Sequence, residues 1–259
     1  MTEWDAAGYS RISSLQAAMA QEVLALLDLN GSERILDVGC GEGKITAKIA
    51  SRAPRGSVVG VDPSSDMIRF AQDHFAHANL RFEMADARCL SFANEFDLAV
   101  SFNALHWIPD QDAALRSIRS ALVADGKTQF RLVTAGARQS LENVVEETRA
   151  APEWKAYFKN FQDPYLRLTP DEYVAVAERN GFRVLCVNTR DRSWDFGSRA
   201  AFADFSAVGL VAWTDRLPVA ERQKFLDDVL DRYQSVLAMR AGENTFKFYQ
   251  TDIAMTKCN

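Results

Sequence analysis

Two groups of residues in this chain have types and spacings that could do chemistry. The first is Asp37-Val38-Gly39-Cys40-Gly41-Glu42-Gly43, which follows the apolar run RILDV and precedes an amphipathic stretch. Glycines at such a strand-to-helix junction let the backbone turn sharply and let a ligand approach without meeting a β-carbon. The spacing is Gly-x-Gly-x-Gly, not the Gly-x-Gly-x-x-Gly of a dinucleotide loop. Asp62 closes the next apolar run, SVVGVD, where its carboxylate can accept hydrogen bonds from a ribose diol. The second group is Ser101, Asn103, His106 and Trp107, in FDLAVSFNALHWIPD at the end of a later apolar run.

The elements that must position these groups are legible as an alternation of short apolar runs and amphipathic stretches. Runs at 34–38, 57–62, 80–86, 96–102 and 127–133, each beside a helical stretch, predict a doubly wound parallel sheet. In that topology the fourth strand neighbours the first across the switch point, so both groups face one site. A helix is expected over 11–29, with Leu15, Met19, Val23, Leu26 and Leu27 at helical spacing and Asn30-Gly31 as its stop. Residues 138–168 read as helical and aromatic, carrying Trp154, Tyr157, Phe158, Phe161 and Tyr165. Thr169-Pro170-Asp171 starts a further helix that Asn180-Gly181 ends. Strands at 182–196 and 245–257 flank a long helical segment including 219–238, expected to lie as an insertion over one end of the sheet. The expected organisation is one α/β domain over 1–259, with a core at about 31–135 and a helical lid at about 138–168 and 197–240.

Composition removes several function classes. With 30 Lys+Arg against 35 Asp+Glu the chain carries a net charge of −5, contrary to what bulk phosphate neutralisation needs, so no nucleic-acid partner is expected. Cys40, Cys89, Cys186 and Cys258 form no Cys-x-x-Cys pair, and His74 and His77 stand without further ligand candidates nearby in sequence, so no metal is expected. No basic leader with an apolar run and no spanning-length apolar window occurs, which gives the expectation of a cytoplasmic protein with no membrane partner.

ILDVGCGEG, together with Asp62, resembles the class I S-adenosylmethionine-dependent methyltransferases, a likeness covering residues 31–135 directly. It implies a seven-stranded, mostly parallel sheet, S-adenosylmethionine as cofactor and S-adenosylhomocysteine as product. Asp37 and the loop Gly39, Cys40, Gly41 and Gly43 would hold the methionine portion, and Asp62 the ribose. Pro63, Met67, Asp86 and Ala87 stand at the positions that surround adenine, with Ser101 and Asn103 facing the cofactor from the fourth strand. An acidic pocket suits a ligand that carries an ammonium and a sulfonium and no pyrophosphate.

Beyond the core the chain resembles the branch containing juvenile hormone acid methyltransferases and, more distantly, trans-aconitate methyltransferases. The residues carrying this are Ser14-Leu15-Gln16, Leu105-His106-Trp107-Ile108, Trp154-Lys155-Ala156-Tyr157 and Phe246-Lys247-Phe248-Tyr249. Those relatives methylate carboxylates; the resemblance puts Gln16 and Trp107 at the acceptor carboxylate as N–H donors, with His106 nearby. A carboxylic acid is already ionised at neutral pH, so transfer to it needs no general base. The stretch at 96–118 lacks the Asn/Asp-Pro-Pro-aromatic motif of methyltransferases acting on exocyclic or amide nitrogens. The rings beyond the core, which also include Trp194, Phe196, Phe202, Phe205 and Trp213, favour a small-molecule acid with a hydrophobic body. Arg138, Arg149, Arg167, Arg190 and Arg192 offer a polyanion instead, but they are dispersed along the sequence and read as solvated. Transfer to nitrogen, carbon or a phenol, and cofactor binding without catalysis, remain as alternatives.

Overall fold

The computed structural model describes residues 19, 21–237 and 244–258. Seven strands, β1 (Arg34–Val38), β2 (Ser57–Asp62), β3 (Leu80–Met84), β4 (Phe96–Phe102), β5 (Leu122–Thr134), β6 (Phe182–Asp195) and β7 (Thr245–Lys257), form one sheet in the order β3-β2-β1-β4-β5-β7-β6. β1 to β5 run parallel, and β7 runs antiparallel to both of its neighbours. The order reverses between β1 and β4, which brings the carboxyl ends of these two strands to one crevice.

Successive residues of a strand point to opposite faces, and the packing follows that alternation. Leu36 and Val38 join Phe130, Leu132 and Ile253 beneath α3 (Gln111–Ala121) and α5 (Pro170–Arg179). Ile35 points the other way and packs with Val58, Val100, Ile49 and Ala50 against α1 (Lys44–Arg52) and Val23 of the helical residues 21–25. α2 (Ser65–His74) covers the neighbouring part of that face through Ile68 and Ala71, which meet Phe82. Local signals set the helix ends: Asp110 accepts from the Ala113 N–H at 2.9 Å to start α3, and Thr169 and Glu172 close a reciprocal capping box on α5.

The region 138–168 is helical only at α4 (Leu141–Ala150); residues 151–160 form turns and 161–169 are irregular. The cause is Pro152. It lacks an N–H and excludes the helical conformation from the residue before it, and Ala151 is accordingly extended at φ −62 and ψ 150. β3 also ends two residues early, because Asp86 turns away to cap the short 3₁₀ turn Ala87–Cys89.

A second hydrophobic cluster lies between α4, α6 (Arg199–Gly209), α7 (Val211–Thr214), α8 (Val219–Leu237) and the start of β7. Trp154, Phe202, Trp213, Phe225 and Tyr233 are fully buried there. Its indoles are satisfied internally, Trp154 donating to Asp228 at 2.9 Å and Trp213 to Glu146 at 2.7 Å. Trp107 and Val133 reach this cluster from the sheet side. Among the described residues no helix is long and apolar enough to cross a membrane.

Candidate active site

The glycine loop is built by backbone bonds to the neighbouring strand. The N–H groups of Gly39 and Cys40 both donate to the Val61 carbonyl, at 2.8 and 3.0 Å. A β-carbon at Gly39 would lie 2.2 Å from that of Ala104, so the missing side chain is what lets the loops after β1 and β4 touch. Gly41 differs: at φ +53 its β-carbon direction meets nothing within 4 Å. Gly41 therefore faces open space, whereas Gly39 serves packing. Gly43, as the residue preceding α1, donates its N–H to the Cys40 carbonyl at 3.1 Å, and Cys40 is buried against Ile68 and Phe82.

Asp37 and Asp62 converge on this loop. Asp37 is buried and accepts from the Thr46 hydroxyl at 2.7 Å. Burial, with the added repulsion of Asp62, pushes its carboxyl up to about 7, although the Thr46 bond opposes the shift. Asp62 accepts the Gly41 N–H on one oxygen at 3.0 Å and the Ser64 N–H on the other at 2.9 Å, which fixes its plane. A carboxylate has about four acceptor sites, so the geometry is compatible with further donors such as hydroxyls.

Around Asp62, Pro63 is exposed, and Met67 is buried on α2 with its N–H on the Ser64 hydroxyl at 3.3 Å. Asp86 is occupied by its own turn. It accepts from the Arg88 N–H at 2.9 Å and from the Arg88 guanidinium, an ion pair that holds its carboxyl below the ordinary range, while Ala87 is buried beside it. Ser101 is buried and donates to the Val38 carbonyl at 2.7 Å, joining the ends of β4 and β1. Asn103 turns the chain at φ 59, donates its N–H to the Arg131 carbonyl at 2.8 Å, and keeps a buried side-chain oxygen without a protein partner among the described residues.

His106 and Trp107 sit on the 3₁₀ turn Leu105–Trp107 immediately beyond. His106 is buried, and its Nδ1 accepts the Val133 N–H at 3.2 Å. Burial drives its pKa down to about 3, so the ring is neutral and, with Nδ1 accepting, carries its proton on Nε2. The His106 carbonyl accepts from the Leu166 N–H at 2.8 Å and pins the irregular segment 161–169 over the turn. Tyr165 is thereby placed against both residues, with ring centroids 5.2 Å from His106 and 4.9 Å from Trp107. Gln16 lies outside the described residues.

Two features escaped the sequence reading. Arg131, fully buried in β5, donates from Nε and Nη2 to the two carboxylate oxygens of Asp252 on β7, at 2.6 and 2.9 Å. Glu22 bridges Arg131 and Arg192, at 3.3 and 2.7 Å, and so ties the helical residues 21–25 to β5 and β6. An arginine inside the apolar run KTQFRLV was the available signal. The second feature corrects the arginine reading. Arg138 and Arg167, although distant in sequence, line one cleft together with Lys247. Arg149 instead pairs with Glu146.

Residues 35–126 match the methyltransferase domain family. The chain is 36% identical to the trans-aconitate 2-methyltransferase of Deinococcus radiodurans, over 86% of this chain and 87% of that one. The chain belongs to the class I S-adenosylmethionine-dependent methyltransferases. The juvenile hormone acid O-methyltransferase of Drosophila melanogaster is 27% identical over 83% of this methyltransferase and 75% of its own length. The phosphoethanolamine N-methyltransferase 2 of Haemonchus contortus, solved with S-adenosyl-L-methionine, shares the fold at a TM-score of 0.58 and 20% identity, over 93% of this chain and 53% of that one. The cofactor of the methyltransferase is S-adenosylmethionine. Its residues fit that molecule: open space at Gly41, two carboxylates beside it for a cationic ligand, and a buried Asn103 oxygen awaiting a donor.

Proposed function

We propose that the enzyme methylates a carboxylate of a small organic acid, forming a methyl ester, and that the acid has an apolar body lying against Trp107 and Tyr165. When bound, S-adenosylmethionine supplies an electrophilic sulfonium methyl: a carboxylate oxygen bonds to that carbon, the carbon–sulfur bond breaks, and its electron pair stays on sulfur. Asp37 and the backbone at Gly39, Cys40, Gly41 and Gly43 hold the methionine end, Asp62 the ribose, and Pro63, Met67, Asp86 and Ala87 border the adenine. Ser101 joins β4 to β1 beneath the transfer site, and Asn103 offers its side-chain oxygen to the cofactor. Trp107 and Gln16 donate to the acceptor, and the helices over 197–240, with 138–168, act as the lid that excludes water from it.

The observation that carries this reading is the state of His106. A ring whose Nδ1 already accepts from Val133 and whose remaining nitrogen carries the proton is a hydrogen-bond donor, unsuited to removing a proton. Such a site suits a nucleophile that arrives ionised. Its contribution is alignment and partial desolvation, and effective molarity from alignment can supply about 7 kcal/mol or more. Replacing His106 by alanine should lower turnover only moderately, with binding of both cofactor and acid retained. A His106→Ala enzyme that binds both normally yet is wholly inactive overturns the reading and points to a base-dependent nucleophile.

A further inference from the structure

The cleft lined by Arg138, Arg167 and Lys247 has a volume of about 220 Å³, and nothing in the transfer chemistry accounts for it. Its cations come from three separate segments: the loop after β5, the stretch before α5, and β7. Arg138 is held by both oxygens of Asp191, at 2.9 and 2.8 Å, and lies 4.6 Å over the ring of Tyr249, another wall residue. Arg167 is fixed by the carbonyls of Tyr165 and Glu142, at 3.0 and 2.9 Å, and by the carboxylate of Asp163. Its Nε is buried without a partner among the described residues.

Asp191 and Asp163 pair with the two guanidiniums but neither lines the cleft among the described residues, so the wall itself carries three basic side chains, Lys247 the third, and no carboxylate. Both guanidiniums are immobilised before any ligand arrives, which removes much of the entropic cost of using them. Tyr165 is common to both places: its ring packs on His106 and Trp107, and the residue is among those that line the cleft.

We propose that the cleft is a distal anion subsite: it holds a second negative group, carboxylate or phosphate, of the acid whose reacting carboxylate sits at Trp107. The inference rests on the carboxylate reading above and narrows its substrate class to acids with two anionic ends separated by an apolar stretch.

The test is calorimetric titration of the enzyme, saturated with S-adenosylhomocysteine, with glutarate, pentanoate and inorganic phosphate. Glutarate should bind about tenfold or more tightly than its chain-matched monoacid pentanoate, and Lys247→Gln should erase that advantage while leaving pentanoate and S-adenosylhomocysteine affinities unchanged. Phosphate binding that exceeds that of glutarate and is likewise lost in Lys247→Gln supports the subsite and identifies a phosphorylated acid as its ligand. Equal affinities for glutarate and pentanoate without Lys247-sensitive phosphate binding, or dianion binding unchanged in Arg138→Gln/Lys247→Gln, overturns the subsite. Product analysis keeps the two readings apart. Lys247-sensitive dianion binding without ester formation from any acid sinks the carboxylate reading alone; esters made with equal kcat/KM from both acids, indifferent to Lys247→Gln, sink the subsite alone.

Discussion

The cofactor side and the acceptor side of this enzyme are built on different principles. On the proposed cofactor side Asp37, Gly41, Asp62 and Asn103 come from the carboxyl ends of the adjacent strands β2, β1 and β4, and short hydrogen bonds hold them. On the acceptor side the walls come from a 3₁₀ turn, an irregular segment after α4, an inter-strand insertion and β7. Most of the rings that could have formed an apolar pocket there are spent on one another. A count of aromatics therefore reports how the second cluster is held together, and says little about the substrate. What speaks for the substrate is the set of groups where that cluster meets the sheet: Trp107, Tyr165, His106 and the cleft with its three basic side chains.

If the two sides are separable, damage to one should leave the other intact. The largest effect should come from Trp213→Ala. Emptying a fully buried indole site and removing the indole N–H bond to Glu146, which keeps its pair with Arg149, should cost about 3–5 kcal/mol of stability, read by denaturant unfolding, while the affinity of surviving folded protein for S-adenosylmethionine is unchanged. Asp62→Ala should do the converse. Losing the carboxylate that fixes Gly41 and Ser64, and with it the charge-assisted bonds proposed to the ribose hydroxyls, should weaken cofactor binding by about 100-fold in calorimetry, with the second cluster's melting unaffected.

Trp107→Phe keeps the ring packing on Tyr165 but removes the indole N–H, and should raise the KM for the acid about tenfold with little change in cofactor affinity. The smallest effect concerns pH. Asp37 has its carboxyl raised to about 7, so below that pH the free enzyme holds a proton there. A bound ammonium favours the ionised form, so binding below pH 7 must release that proton. Affinity for S-adenosylmethionine should then fall as pH drops from 7 to 6, by at most about tenfold per unit, and Asp37→Asn should flatten the slope.

The difference between the two sides also explains what could be read from the sequence. All seven strands were legible, and for β1 to β5 and the β1–β4 switch point the reason is that buried parallel strands write themselves as short apolar runs; β6 and β7 are long antiparallel strands outside that rule. The glycines were legible as a loop, yet only the fold separates Gly41, which faces open space, from Gly39, which packs on Ala104. The pairing of Arg138 with Arg167 and Lys247 was invisible, since no local pattern encodes a juxtaposition made by the antiparallel return of β7. The helical reading of 138–168 holds only to Ala150, where Pro152 forces Ala151 out of the helical conformation.

The most direct test of the central claim, that the acceptor atom is a carboxylate oxygen, is the chemical nature of the product. The enzyme is incubated with methyl-labelled S-adenosylmethionine and a panel of organic acids, amines and phenols, and each labelled product is treated with alkali. Label transferred to acids and released by alkali, as from a methyl ester, is the expected result. Label that is transferred only to amines or phenols and survives alkali would contradict it.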